Sequence, residues 1–355
     1  MKISNIAYMI NKKKQNFISR RNTINYGLQI LKMFLCMWVV YIHTCKESNK
    51  LLRHLFFFRT KFHVPGFIII SFYFLFNIIS KRDIDKAKER FIRLLVPYFI
   101  LPLFTWLYNN ISYKFINYSI YGRILKFKEL INQFIIGYIY YIIFWFHFVL
   151  LFLTLLFFII AFIFKKNFLI IIQIFGLISY IFQYSGYNLK TFNQYKNSVS
   201  IPLGNIFELC PSSVIGLSFG AFNLINSLKK NRSNIIVICS AFLYLLFAYD
   251  LFKNIKGFLY PGIQSTLGGM LLFIIFSLFP FEKLKNKFII SIIIFFSNYT
   301  GGIYYFHLLI RDALRVNIIK QKKFQGTLMI YIISYIICLV GSNIFGKTRL
   351  KYIFV

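Results

Sequence analysis

The chain has 355 residues, 58% of them apolar and 21% aromatic, with 42 Lys and Arg against 9 Asp and Glu and a formal charge of +33. Apolar residues recur in unbroken runs such as FVLLFLTLLFFIIAFIF from Phe148 to Phe164, long enough to cross about 30 Å of hydrocarbon, which excludes a soluble domain built from amphipathic elements. The basic residues are scattered through short loops rather than gathered into one domain, so the charge points to anionic lipid headgroups and not to nucleic acid.

In chain order, residues 1–25 form a basic segment followed directly by a full-length apolar run with no small-residue cleavage site, and are read as a cytoplasmic N-terminal segment rather than a removed signal. The first predicted span, 26–45, holds a lysine and a histidine separated by ten residues, Lys32 and His43. Eleven helical steps turn through about 1100°, so the two side chains share one face about 20° apart and lie about 16 Å apart along the axis. A lysine within a membrane helix costs roughly 2.5 kcal/mol or more on insertion scales, and such residues mark function by default.

The second span, 64–80, begins in HVPGFIIISFYFLF and the third, 91–108, follows RFIRLLVPYFI. Arg90 and Arg93, three apart on a helix, are expected to face nearly the same way, and guanidinium forks at a membrane surface suit phosphate or carboxylate. Pro97 interrupts the helix and leaves carbonyls that neighbours must satisfy. Residues 109–142 are aromatic enough to lie along the interface or to re-enter. Further spans are expected at 143–164, 168–186, 205–227, 234–252, 262–280, 288–309 and 326–346, separated by clusters such as Lys81-Arg82-Asp83 and Lys229-Lys230-Asn231-Arg232, with a short basic cytoplasmic tail at 347–355. The expected fold is all-α: one polytopic membrane domain of about ten transmembrane helices over 26–346. A modest Lys/Arg excess favours both termini in the cytoplasm and residence in the cell membrane.

Chemistry near neutral pH calls for histidine, and the chain has five. His54 falls in a basic loop and reads as solvated. His43 must find a partner inside the bundle, either a neighbouring helix or a polar channel shared with Lys32. The scarce carboxylates are mostly in loops, while Glu208 and Asp250 lie nearer the membrane, where each could orient a histidine or pair with an interfacial cation. The five cysteines, Cys36, Cys45, Cys210, Cys239 and Cys338, show neither disulfide nor zinc spacing, and no metal is expected.

Five landmarks in order, Lys32-x10-His43, HVPGFIIISFYFLF, Arg90-x-x-Arg93 with LLVPY, FWF at 144–146 and TGGIYYFHLLI at 300–310, resemble the membrane-bound acyltransferase-3 family over nearly the whole chain. The resemblance implies a ten-helix bundle that transfers an acyl group, often acetyl, from acyl-CoA to a hydroxyl or amine of a carbohydrate, with finished acylation within the chain or hand-over to a separate glycan-modifying protein. It maps the family's first-span basic residue and histidine onto Lys32 and His43, its donor-linked arginines onto Arg90 and Arg93, and further motif positions onto Ser71, Trp145, Tyr304 and His307. Where the family continues Ser-Gly, this chain reads Ser71-Phe72, and where leucine commonly follows Trp-Phe it has His147. On that implied chemistry, His43 is a general base or a transient acyl carrier, and Lys32 stabilises negative charge on the donor or the oxyanion. A carrier or flippase for a lipid-linked or anionic substrate is the alternative, with Lys32 and His43 on a transport path.

Overall fold

The computed structural model describes residues 25–44, 62–116, 123–136, 144–184, 200–253, 263–281, 286–314 and 323–355. Among them the chain is all helical, in the order α1 (Tyr26–Thr44), α2 (His63–Ser80), α3 (Ile84–Ile116), α4 (Phe127–Ile136), α5 (Phe144–Phe164), α6 (Phe168–Tyr184), α7 (Ser200–Ala221), α8 (Leu224–Leu228), α9 (Arg232–Lys253), α10 (Ile263–Leu278), α11 (Lys287–Ser297), α12 (Thr300–Leu314) and α13 (Lys323–Ile344), followed by a 3-10 turn at Arg349–Ile353. His54 and Cys45 lie outside the described residues, and Asp250 is described only by its backbone in α9.

Two helices form the centre. α1 packs against α2, α10, α11, α12 and α13, and α2 packs against α1, α3, α5, α7 and α10. Lipid tails are as apolar as leucine, so such contacts depend on close approach rather than on hydrophobic exclusion. Here Gly216 and Gly220 of α7, four residues apart on one face, let that helix sit directly on the α2 backbone. A Cβ on Gly216 would overlap the Ile69 carbonyl, and one on Gly220 would come within 2.7 Å of Phe76 Cβ. The glycine that α2 lacks after Ser71 is thus supplied by the helix opposite. Around this contact Ile68, Phe72, Leu75, Leu153, Phe157, Leu209 and Leu217 are buried in one cluster.

Among the described residues five apolar helical stretches are long enough to cross a membrane, or seven if each bent pair is counted as one span. Each of the about ten spans expected from the sequence has a helix: α5 and α6 form one apolar stretch, Phe144–Phe182, turned at Lys165, and α7 and α9 form one bent pair. The ninth run is split into α11 and α12, bent by 57°, and α10 is a shorter apolar helix. A second bend, of 68°, separates α7 from the α8–α9 stretch at Asn223, whose φ of 48° places it in the left-handed region. Another positive φ, 43° at Lys165, marks the turn between α5 and α6, which pack against one another.

α3 is longer at both ends than the apolar run suggests. Asp83 caps its start, accepting from the Lys86 backbone N–H at 3.0 Å and from Lys86 Nζ at 2.6 Å, and these bonds hold the Asp83 carboxyl below the usual carboxylate range. At the far end Trp106 Nε1 and Asn110 Nδ2 both donate to the Leu125 carbonyl at 2.9 Å, tying the returning chain to α3 and leading into α4. The 109–142 segment is therefore a helix end and a short packed helix within its described parts. The predicted tail is part of the bundle as well. Its 3-10 turn packs on α3, α12 and α13, Ile353 is buried, and Phe354 stacks on Phe306 and Phe345.

Candidate active site

A cavity of about 250 Å³ opens where α1, α2, α3, α5 and α12 meet. Its walls carry Lys32 from α1, Ser71 from α2, Arg90 from α3, His147 from α5, and Thr300, Tyr304 and Tyr305 from α12, with Phe67, Ile70, Phe74, Phe146 and Leu150 as the apolar side. Among the described residues two cations face this space and no carboxylate lines it. In a low-dielectric setting that arrangement favours an anion.

Arg90 reaches the cavity by bonding across to α2: Nη2 donates to Ser71 Oγ at 2.8 Å, while the buried Nε has no hydrogen-bond acceptor among the described residues. Arg93 is different. Three helical steps leave it about 60° from Arg90 around the axis, enough to turn it outward. It is exposed, donates to Glu89 at 2.6 Å and lies over the Tyr352 ring at 5.3 Å. The two arginines expected to act side by side are thus divided between the cavity and the surface.

The histidines form a second level. His43, at the other end of α1 from Lys32, has its ring centroid 5.4 Å from that of His307, which is fully buried. His307 Nδ1 lies 2.7 Å from the Tyr304 carbonyl, and since a carbonyl only accepts, Nδ1 carries the proton and donates. In the neutral ring Nε2 then keeps a lone pair, and it is buried with no hydrogen-bond partner among the described residues. Arg311 Nη1 donates to the His43 carbonyl at 3.1 Å and fixes the end of α1 against α12. Tyr304 joins the two levels, lining the cavity while its ring contacts Phe146 at 5.5 Å and His307 at 5.9 Å.

Trp145 is half-buried beside the cavity, whose wall is formed by its neighbour Phe146. Glu208 is buried on α7, which packs on α2, α5 and α6, and is not part of the cavity wall. His147, without a role from the sequence, has one here. Nε2 donates to the Leu94 carbonyl at 2.6 Å, so Nδ1 of the neutral ring accepts from the Tyr305 hydroxyl at 2.7 Å. Pro97 has no N–H to give to the Arg93 carbonyl four residues before it, so the Leu94 bond is not one that the proline opens, and nothing in the sequence announces it.

Among the described residues no group of three or more His, Cys, Asp or Glu could hold a metal ion. The four cysteines described, Cys36, Cys210, Cys239 and Cys338, are free and buried. A family model described as an acyltransferase domain matches residues 25–347. No curated protein and no solved structure matches the chain.

Proposed function

Starting from a chain that belongs to the acyltransferase-3 family and is a polytopic membrane acyltransferase, we propose that it moves an acyl group, acetyl in the simplest case, from cytoplasmic acyl-CoA to a hydroxyl of a cell-surface or extracellular glycan. The observation that carries this reading is the pairing of Lys32 and Arg90 on one acid-free cavity, with the buried His43–His307 pair farther along α1 and Tyr304 between them.

With both termini in the cytoplasm of a cell-membrane protein, the cavity lies toward the inner side and the histidines toward the outer. Acyl-CoA carries several phosphates, which Lys32 and Arg90 can hold by charge-assisted hydrogen bonds, with Ser71 fixing the guanidinium. Arg93, at the surface, attracts the same donor at longer range. The thioester then extends past Tyr304 toward His43. Neutral His43 takes the proton of the acceptor hydroxyl as its oxygen attacks the thioester carbonyl. The C–O bond forms, the C–S bond breaks, and the thiolate leaves with the proton held on the imidazole. The His307 ring, buried 5.4 Å centroid to centroid from His43, packs against that base and limits its orientations, as a third group does in triads. Aromatic residues beside the site, Trp145 and Phe146 among them, exclude water.

The test is free-thiol release from acetyl-CoA by the purified chain in lipid nanodiscs, comparing wild type with His43→Ala, with and without a glycan extract. Release requiring both His43 and the extract supports the transferase. Vectorial movement of a lipid-linked or anionic substrate with no thiol release would overturn it in favour of a carrier.

A further inference from the structure

His147 is the buried titratable group for which the transfer chemistry has no use. Both ring nitrogens are committed, Nε2 to Leu94 and Nδ1 to Tyr305, and the ring is 1% exposed between Tyr98 and Phe144. It can therefore neither take a proton from a ligand nor give one without breaking a bond to the protein. Its partners are informative. Leu94 is one turn after Arg90 on α3 and directly follows Arg93, whose carbonyl Pro97 leaves without its helical N–H, and Tyr305 lines the cavity from α12. Together with the Arg90–Ser71 bond, these contacts run from Ser71 on α2 through Arg90 and Leu94 on α3 and His147 on α5 to Tyr305 on α12.

We infer that the His147–Tyr305 pair is a positioning device, holding the first turns of α3 so that Arg90 stays on the cavity wall facing Lys32. A helix freed from its i to i−4 ladder at a proline has a soft joint there, and the segment before the joint needs an external anchor. His147 is that anchor, and Tyr305 fixes the anchor's tautomer and ring angle. The ligand consequence rests on the acyl-CoA reading above; the mechanical one does not.

The experiment has two readouts in nanodiscs, applied to His147→Leu, His147→Gln and Tyr305→Phe. The first is hydrogen exchange of the amides in 90–98, with 210–217 at the α2–α7 contact as an internal reference. The second is the split between donor KM and kcat. For His147→Leu we expect about tenfold faster exchange confined to 90–98 and about tenfold higher donor KM, with kcat within about threefold, as loss of one net hydrogen bond predicts. Glutamine, which carries both a donor and an acceptor, restores both readouts, and Tyr305→Phe falls between. Unchanged exchange at 90–98 in His147→Leu and Tyr305→Phe overturns the inference, as does equal impairment by leucine and glutamine. If wild type turns over no acyl-CoA, the functional reading fails while the exchange data still decide the positioning role.

Discussion

Arg90 of α3 and Ser71 of α2 meet at 2.8 Å across the cavity wall, nineteen residues apart in sequence, and this bond separates Arg90 from Arg93 in position. One guanidinium is drawn in by a neighbouring hydroxyl, the other is left at the surface with Glu89.

Alanine at the two arginines should therefore act unequally. Arg90→Ala removes a buried charge from the donor cavity and is expected to raise donor KM by about tenfold or more, since hydrogen bonds to charged groups contribute about 1.5–3 kcal/mol. Arg93→Ala breaks only an exposed pair worth about 0–1 kcal/mol and should change KM by less than about threefold at physiological salt. Titration of acyl-CoA against each variant checks the ranking, and equal losses would contradict the division.

Ser71→Ala leaves Arg90 in place but removes the acceptor that aims it. The expected result is a donor KM raised about threefold to tenfold with kcat little changed, because the charge remains and only its direction is loosened. Ser71→Thr, which keeps the hydroxyl, should recover most of the loss in the same assay.

His43→Ala should lower kcat by about 10² to 10⁴, the usual contribution of a positioned general base. His307→Ala should cost less, about tenfold to a hundredfold, by leaving His43 unoriented. Steady-state rates at saturating donor separate the two, and a His307 variant with wild-type kcat would remove that residue from the mechanism.

Gly216→Ala forces a methyl group against the Ile69 carbonyl of α2, a backbone atom that cannot rotate away. An overpacked contact of this kind costs about 1–3 kcal/mol. Thermal unfolding in detergent should show a lower midpoint for Gly216→Ala, whereas Val237→Ala on the exposed face of α9 should leave it unchanged.

The apolar runs announce the helices because the membrane requires long uninterrupted stretches: α1 and α2 begin and end, α5 ends and α6 begins, within a few residues of the charge clusters that bound those runs. Breaks are harder to read. Asn298 and Tyr299 separate α11 from α12, and the run Ser297-Asn298-Tyr299-Thr300-Gly301-Gly302 is turn-prone, but it sits inside one apolar run and does not say that the run bends there. α3 outruns its apolar window because its capped first turns are polar and its last turns are held by Trp106 and Asn110. At the site, spacing along one helix is legible: Lys32 and His43 mark the two ends of α1. Which residues meet across helices is not, and so Ser71 with Arg90, His43 with His307 and His147 with Tyr305 emerge only from packing. The Gly216-x-x-x-Gly220 pair stood in the sequence as a close-packing signal, and its target on α2 did not.

A cavity that carries two positive groups and no negative one is electrically incomplete when empty. Burial strips Lys32 and Arg90 of water, and an anionic occupant supplies the attraction that the wall itself does not. Occupancy thus becomes part of what holds α1, α2 and α3 together. By mass action, a donor present at about a hundred times its dissociation constant adds about 2.7 kcal/mol to the folded state. On the acyl-CoA reading proposed above, a cell short of donor would hold this protein in its softer form, so metabolic supply would set the lifetime of the transferase in the membrane as well as its rate.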